Sequence, residues 1–237
     1  MITEETVSIS LGNGETTSGI LNLPTELPQN AEAFIIAHGQ GNGMTHPLLD
    51  IFAKDLAAAG YITLRFNFLY REKGRETADK KETLYLAWQS AVRFMEQESG
   101  LNPGRIFLAG KSLGAKIAAL MASEGLLKPA GLIFLGYPLH PIDQMENIQA
   151  EHFAKIAAPM LFFAGTRDPF CSLAAIKTIF SSMNLNASSR LEIVDGGDHS
   201  FEVPKAFYLP TKEIYKHMVK KTLQWRSKTF PKGKESN

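Results

Sequence analysis

Eight short runs of apolar and β-branched residues recur along the chain, and from the third onward segments with helical spacing lie between them. The first two, TVSIS and SGILNLP, are joined by LGNGETT, where glycine and asparagine supply a hairpin turn. AFIIAHG, YITLRFNF, RIFLAG, GLIFLGYP, PMLFFAG and SRLEIVD follow as further strands. Between them, PLLDIFAKDLAAAG, TLYLAWQSAVRFMEQES, a segment beginning at Ser112, and SLAAIKTIFSSM carry apolar residues at helical intervals. KEIYKHMVKKTLQWRS is the last helix, and Gly60 marks the end of the first. Alternation of this kind means crossover connections, hence parallel strands with both faces of the sheet under helices. The expected fold is α/β: a mostly parallel eight-stranded sheet, one domain over residues 1–229, and a flexible polar tail over 230–237. In such sheets ligands gather at the carboxyl ends of the strands.

Composition narrows the class. A 44% hydrophobic and 21% charged chain of 237 residues can bury a sizeable core. A formal net charge of +1 argues against a nucleic-acid partner that needs a basic face. Cys171 is alone, so no intrachain disulfide framework exists. MITEETVSIS lacks the basic-then-apolar pattern of a signal peptide, and no apolar run reaches membrane-spanning length. The expectation is a cytoplasmic protein with no membrane partner.

The stretch FLAGKSLGAKIAAL, residues 107–120, fits two different machines in part. GKS is the end of a phosphate-binding G-x-x-x-x-G-K-[ST] loop, but the first glycine would fall on Arg105, and Gly104 misses by one. The intervening IFLA is strand rather than loop, and GLIFLGYP lacks the metal-binding aspartate such a site uses. GKSLG is also a G-x-S-x-G turn, in which a serine sits at the strained apex between a strand and a helix. RIFLAG-K-S-LGAKIAALMA has that order, with small residues Gly110, Gly114 and Ala115 where the crossing is tight. Ser112 is then a candidate nucleophile, placed at a helix N-terminus that favours developing negative charge.

A serine of this type needs an acid and then a histidine, in that chain order. His140, His152, His199 and His217 follow Ser112. His152 and His217 lie in helical patterns, and His140 precedes any suitable acid. His199, in DGGDHSF just past SRLEIVD, occupies the loop where a general base belongs. Of Asp143, Asp168, Asp195 and Asp198, Asp168 follows the strand PMLFFAG in the turn GTRDPF, whereas Asp195 and Asp198 are too near His199 to approach it from a separate loop. Asp168 is the preferred acid. An oxyanion hole would combine the backbone N–H groups of Leu113 and of Gln40, the latter in HGQG after the third strand. His38 precedes Ser112 and fits a loop-shaping role better than that of a base.

With these motifs in place, the chain resembles the α/β-hydrolase superfamily over nearly its whole length. It is most similar to the dienelactone-hydrolase-like branch that includes bacterial predicted hydrolases and animal testis-expressed and chromatin-complex relatives. HGQGNGM, LRFNFLY, GKSLGA, GYPLHP, GTRDPF and GDHSF carry that resemblance, GYPLHP and the basic residue before the serine more specifically than the rest. It implies Ser112, Asp168 and His199 as a triad acting on small ester substrates, with no cofactor and no metal. Some relatives in the branch serve as scaffolds, so a binding module without significant catalysis is the alternative.

The resemblance also bears on substrate. Insertions forming lids commonly follow the strand after the nucleophile helix, but residues 136–159 leave room for only a loop and a short helix. An open site without a large lid, suited to small soluble esters, is expected. Candidate substrate-binding residues are Tyr70 and Arg71 in LYREKGR and Tyr137 in GYPLHP. Arg71, Lys73 and Arg75 together could attract anionic substrates if that loop overhangs the pocket.

Overall fold

Strands buried on both faces read as continuous apolar runs, and the central strands here do so. The computed structural model describes residues 1–207 and 209–231. β1 (Ile2–Ser10) and β2 (Thr16–Pro24) form the hairpin, with Ile9 opposite Thr17 and the turn closed through Gly12 and Gly14 at φ 77° and 86°. β3 (Glu32–Ala37), β4 (Ile62–Phe66), β5 (Arg105–Lys111), β6 (Gly131–Leu135), β7 (Met160–Gly165) and β8 (Arg190–Val194) complete one eight-stranded sheet, in the order β1-β2-β4-β3-β5-β6-β7-β8. β2 runs antiparallel to β1 and β4, and every other neighbouring pair is parallel.

The two-residue period of a strand divides the core. Ala33, Ile35 and Ala37 of β3, Leu108 of β5, and Leu132 and Phe134 of β6 join one apolar cluster, with α3 (Lys81–Arg93), α4 (Leu113–Ser123) and α5 (Leu173–Ser182). Phe34 and Ile36, Phe107 and Ala109, Ile133 and Leu135 face the other way, against α1 (Pro47–Ala58, reached before α2) and α6 (Thr211–Thr229). α1 begins at Pro47, whose fixed φ suits a first helical position, and the side chain of His46 accepts from the Leu48 N–H. It stops before Gly60, at φ 97°.

Three local features go beyond what periodicity predicted. The loop after β4 contains a single helical turn, α2 (Leu69–Glu72). The long helical pattern after it ends in a π-helical turn at Phe94–Glu98. Between β6 and β7 the chain makes only a 3₁₀ turn at Glu151–Lys155, so no lid domain covers this side. Phe230, placed in the expected tail, packs its ring on Phe107 at 5.3 Å, edge to face, and joins the apolar cluster between α6 and the sheet. Residues 232–237 of that segment lie outside the described residues. Among those described, no helix is long and apolar enough to cross a membrane.

One ion pair ties the last helix to the middle of the sheet. Glu32 at the start of β3 is nearly buried and accepts from Arg226 Nε at 2.6 Å and from Arg105 Nη1 at 2.7 Å. Burial raises the carboxyl's proton affinity, but the two guanidinium groups outweigh it and hold Glu32 below its ordinary range. A lowered carboxyl stabilises the fold above its unfolded-state titration and loses that contribution as pH falls through the folded one. Arg226→Met should therefore cost about 3 kcal/mol at neutral pH in urea denaturation, the lower end for breaking a buried pair because Arg105 remains. The deficit should shrink as Glu32 protonates.

Candidate active site

The chain winds one way from β3 to β4 and the other way from β5 to β8, so the sheet has a switch point between β3 and β5. The loops leaving the carboxyl ends of these two strands open side by side. Ser112 stands at the end of β5 with φ 49° and ψ −112°, a conformation a non-glycine residue adopts only when its surroundings enforce it. The enforcement is steric. A methyl group added at Gly110 would lie 2.3 Å from the Ala115 nitrogen, and one at Gly114 2.7 Å from the Ala37 carbonyl oxygen. With glycine at both, α4 crosses the strand ends backbone to backbone, and the serine between them is pushed outward.

His199 and Asp168 arrive from the ends of two further strands. The Ser112 hydroxyl lies 2.9 Å from His199 Nε2, and His199 Nδ1 lies 2.8 Å from Asp168 Oδ2. The Asp168 side chain is fully buried and the His199 side chain 19% exposed. Asp168 Oδ1 also accepts from the Phe170 N–H at 2.9 Å, which fixes the carboxylate plane. Phe170 itself packs on the imidazole at 4.6 Å between ring centres. The His199 loop is shaped by Asp198, whose Oδ1 accepts from the N–H groups of Ser200 and Glu202. Gly165 lets that loop close on the Asp168 turn: a methyl there would lie 2.2 Å from the Gly197 carbonyl oxygen. A hydroxyl, an imidazole and a buried carboxylate in sequence can pass a proton from the hydroxyl to the ring while the carboxylate holds the tautomer.

Residues 30–227 match the alpha/beta hydrolase domain family. The chain belongs to the α/β-hydrolase family. Its fold is similar to that of a dienelactone hydrolase from Anabaena variabilis, with a TM-score of 0.74 and 20% identity over 96% of this chain and 98% of that one. An alpha-beta serine hydrolase homologue from Coxiella burnetii is similar at 0.71 and 22%, covering 92% and 96%. A Xanthomonas campestris serine hydrolase described as lacking a lid is similar at 0.69 and 17%, covering 92% and 94%. At these identities the likeness is one of fold.

The remaining predicted site residues of this hydrolase separate into those near Ser112 and those away from it. Leu113 opens α4, where the first N–H groups have no intrahelical acceptor. Gln40 is exposed on the loop after β3, next to Gly39, whose added methyl would lie 3.1 Å from Ser112 Cβ. His38 fixes this loop. It is fully buried, its Nδ1 donates to the Gly39 carbonyl at 2.8 Å, and its Nε2 accepts from the Phe68 N–H at 3.0 Å. Burial pushes its titration down to about 4, so the ring is neutral at working pH. Tyr70 is also buried, its hydroxyl 3.4 Å from the Gly39 carbonyl and its ring on Phe68 and His38. It supports the loop and presents no surface to a ligand. Tyr137 does not join the site: it is 1% exposed, packed with Phe134, Phe153 and Phe162, and its hydroxyl meets His152 Nε2 at 2.8 Å.

The cationic loop is largely neutralised. Lys73 pairs with Glu15 and Arg75 with Asp79, each at 2.6 Å, leaving Arg71 of the three without an ion pair among the described residues. The structure therefore gives little support to steering by that loop. Phe170 escaped sequence reasoning, although its place two residues after Asp168 is the available signal. Among the described residues no group of three or more His, Cys, Asp or Glu side chains is placed to hold a metal ion.

The crossing at Gly114 is open to direct test. In Gly114→Ala the new methyl would press on the Ala37 and His38 carbonyl oxygens, at 2.7 and 2.8 Å, and neither can yield without moving β3. Overpacking of this kind costs about 1–3 kcal/mol, so the urea midpoint should fall accordingly.

Proposed function

We propose that this protein is a serine hydrolase that cleaves small, soluble esters through an acyl-enzyme. The observation that carries the reading is the unbroken chain from Ser112 Oγ through both ring nitrogens of His199 to the buried Asp168 carboxylate, at 2.9 and 2.8 Å. In this scheme His199 Nε2 takes the hydroxyl proton as Ser112 Oγ bonds to the ester carbonyl carbon. Negative charge collects on the carbonyl oxygen, where the Leu113 and Gln40 N–H groups receive it. A single such donor is worth about 2.7–4 kcal/mol. The C–O bond to the alcohol then breaks, with His199 returning its proton to the leaving oxygen. A water molecule repeats the cycle on the acyl-enzyme, giving its proton to His199, releasing the acid and restoring the Ser112 hydroxyl. The scheme calls on no metal or cofactor.

Substrate size follows from what surrounds the serine. The span from Gly136 to Pro159 contains a loop and one 3₁₀ turn, which supports an uncovered site. Long acyl chains gain most from a lid that shields them from water, so short ones suit this site better.

A fluorophosphonate probe should add covalently to the native protein and leave Ser112→Ala unlabelled. Equal labelling of that variant would remove Ser112 from the role. Asp168→Asn should keep the fold and lower kcat by about 10⁴-fold through loss of the tautomer-holding group. Among p-nitrophenyl esters, kcat/KM should be higher for acetate and butyrate than for palmitate. The reverse order would contradict the open site.

A further inference from the structure

Lys111 ends β5, one residue before Ser112, and follows Phe107 and Ala109 in the alternation that faces α1 and α6. It is 3% exposed, and among the described residues no hydrogen bond or ion pair is made by its ammonium. A long cationic side chain in such a place is costly to bury, and an apolar residue would fill the volume more cheaply. Its position relative to the triad is fixed by Gly136. A methyl added at that glycine would lie 3.4 Å from Lys111 Nζ, 3.5 Å from His199 Nδ1 and 3.1 Å from the His199 carbonyl oxygen. The ammonium and the imidazole thus border the same small space, held open by a residue with no side chain at φ 75°.

The charged and titratable groups around Lys111 come from three elements: Asp168 on the turn after β7, Asp198 and His199 on the loop after β8, and His46 at the start of α1. Asp168 and Asp198 attract the ammonium, yet both Asp168 oxygens are bonded to His199 or Phe170, and Asp198 Oδ1 accepts from Ser200 and Glu202. Neither pairs with it.

We propose that Lys111 is a positioning residue for the reaction: its ammonium, beside the His199–Asp168 pair and without an ion pair among the described residues, favours the neutral His199 that accepts the Ser112 proton. The sign follows from electrostatics. A fixed positive charge nearby disfavours a second one on the imidazole and favours the ionised Asp168. Both atoms lie within 3.5 Å of one point beside Gly136, close enough for one charge to act on the other. Burial lowers the titration of Lys111 itself to about 8, against the pull of the two aspartates, so most of the side chain is cationic at neutral pH.

The inference rests on Ser112 and His199 acting as nucleophile and base. Its test is the pH dependence of the second-order rate of fluorophosphonate labelling in the native protein, Lys111→Met and Lys111→Arg. In Lys111→Met the acid-side midpoint should rise by about one pH unit. In Lys111→Arg, which keeps the charge, it should return to the native value. Should Met not be accommodated, Lys111→Gln takes its place in the same comparison. A midpoint that stays put when the charge is removed overturns the proposal, whatever happens to the melting temperature. Lack of Ser112-dependent labelling in the native protein overturns the triad reading first, and this inference with it.

Discussion

The close crossing of α4 over the ends of β3 and β5 is the contact on which the rest of the site depends. Two glycines separated by three residues bring helix backbone to within van der Waals distance of strand backbone. The consequences are geometric. Ser112 is forced to positive φ, its hydroxyl leaves the sheet surface, and the N–H groups of the first helical turn face the space in front of it. The same approach brings the β3 loop against Ser112, so that the proposed nucleophile and oxyanion donors are set by one packing event. Strain in the serine backbone is offset by the burial that the tight crossing permits on the α4 face of the sheet.

The opposite wall is built by a second close approach. Gly165 allows the turn after β7 to touch the loop after β8 at Gly197 and Asp198, and this contact joins Asp168 to His199 across thirty-one residues of chain. His140 braces the wall from behind, accepting from the Ser172 N–H at 3.0 Å, while the Leu139 N–H donates to the Phe170 carbonyl at 2.8 Å. Phe170, so held, packs on the imidazole. The histidine is thus confined by a carboxylate at one nitrogen, a hydroxyl at the other and an aromatic face against the ring.

Much of this could be seen in the residues alone, and the reason is that the site depends on local rules. A strand–turn–helix with small residues at fixed offsets has few solutions, so GKSLGA identified the elbow, and chain order then selected His199 from four histidines. Apolar runs gave the eight strands for the same reason. What escaped were effects of long-range packing. Tyr137 reads as a strand-end residue near the site, but the strand's alternation ends at Gly136, at φ 75°, and its ring joins the cluster of Phe134, Phe153 and Phe162. The charges of LYREKGR look free because Glu15, the partner of Lys73, lies fifty-eight residues away on the hairpin turn. Phe230 reads as tail, yet its ring completes an aromatic group with Phe107 and Trp225.

The histidines show why a hydrogen-bond inventory separates function from support. Among the described residues His38, His46 and His140 each bond only to backbone groups, and His152 bonds to the buried hydroxyl of Tyr137. In each the partner is satisfied by a neutral ring, and burial pushes His38 and His152 down to about 4. Both therefore exclude a proton that the unfolded chain would bind below its ordinary titration near 6.5, so stability falls as pH drops from there toward 4. His199 differs in kind. Its two nitrogens meet a carboxylate and a hydroxyl, so among the described residues this ring alone has side-chain partners of opposite character.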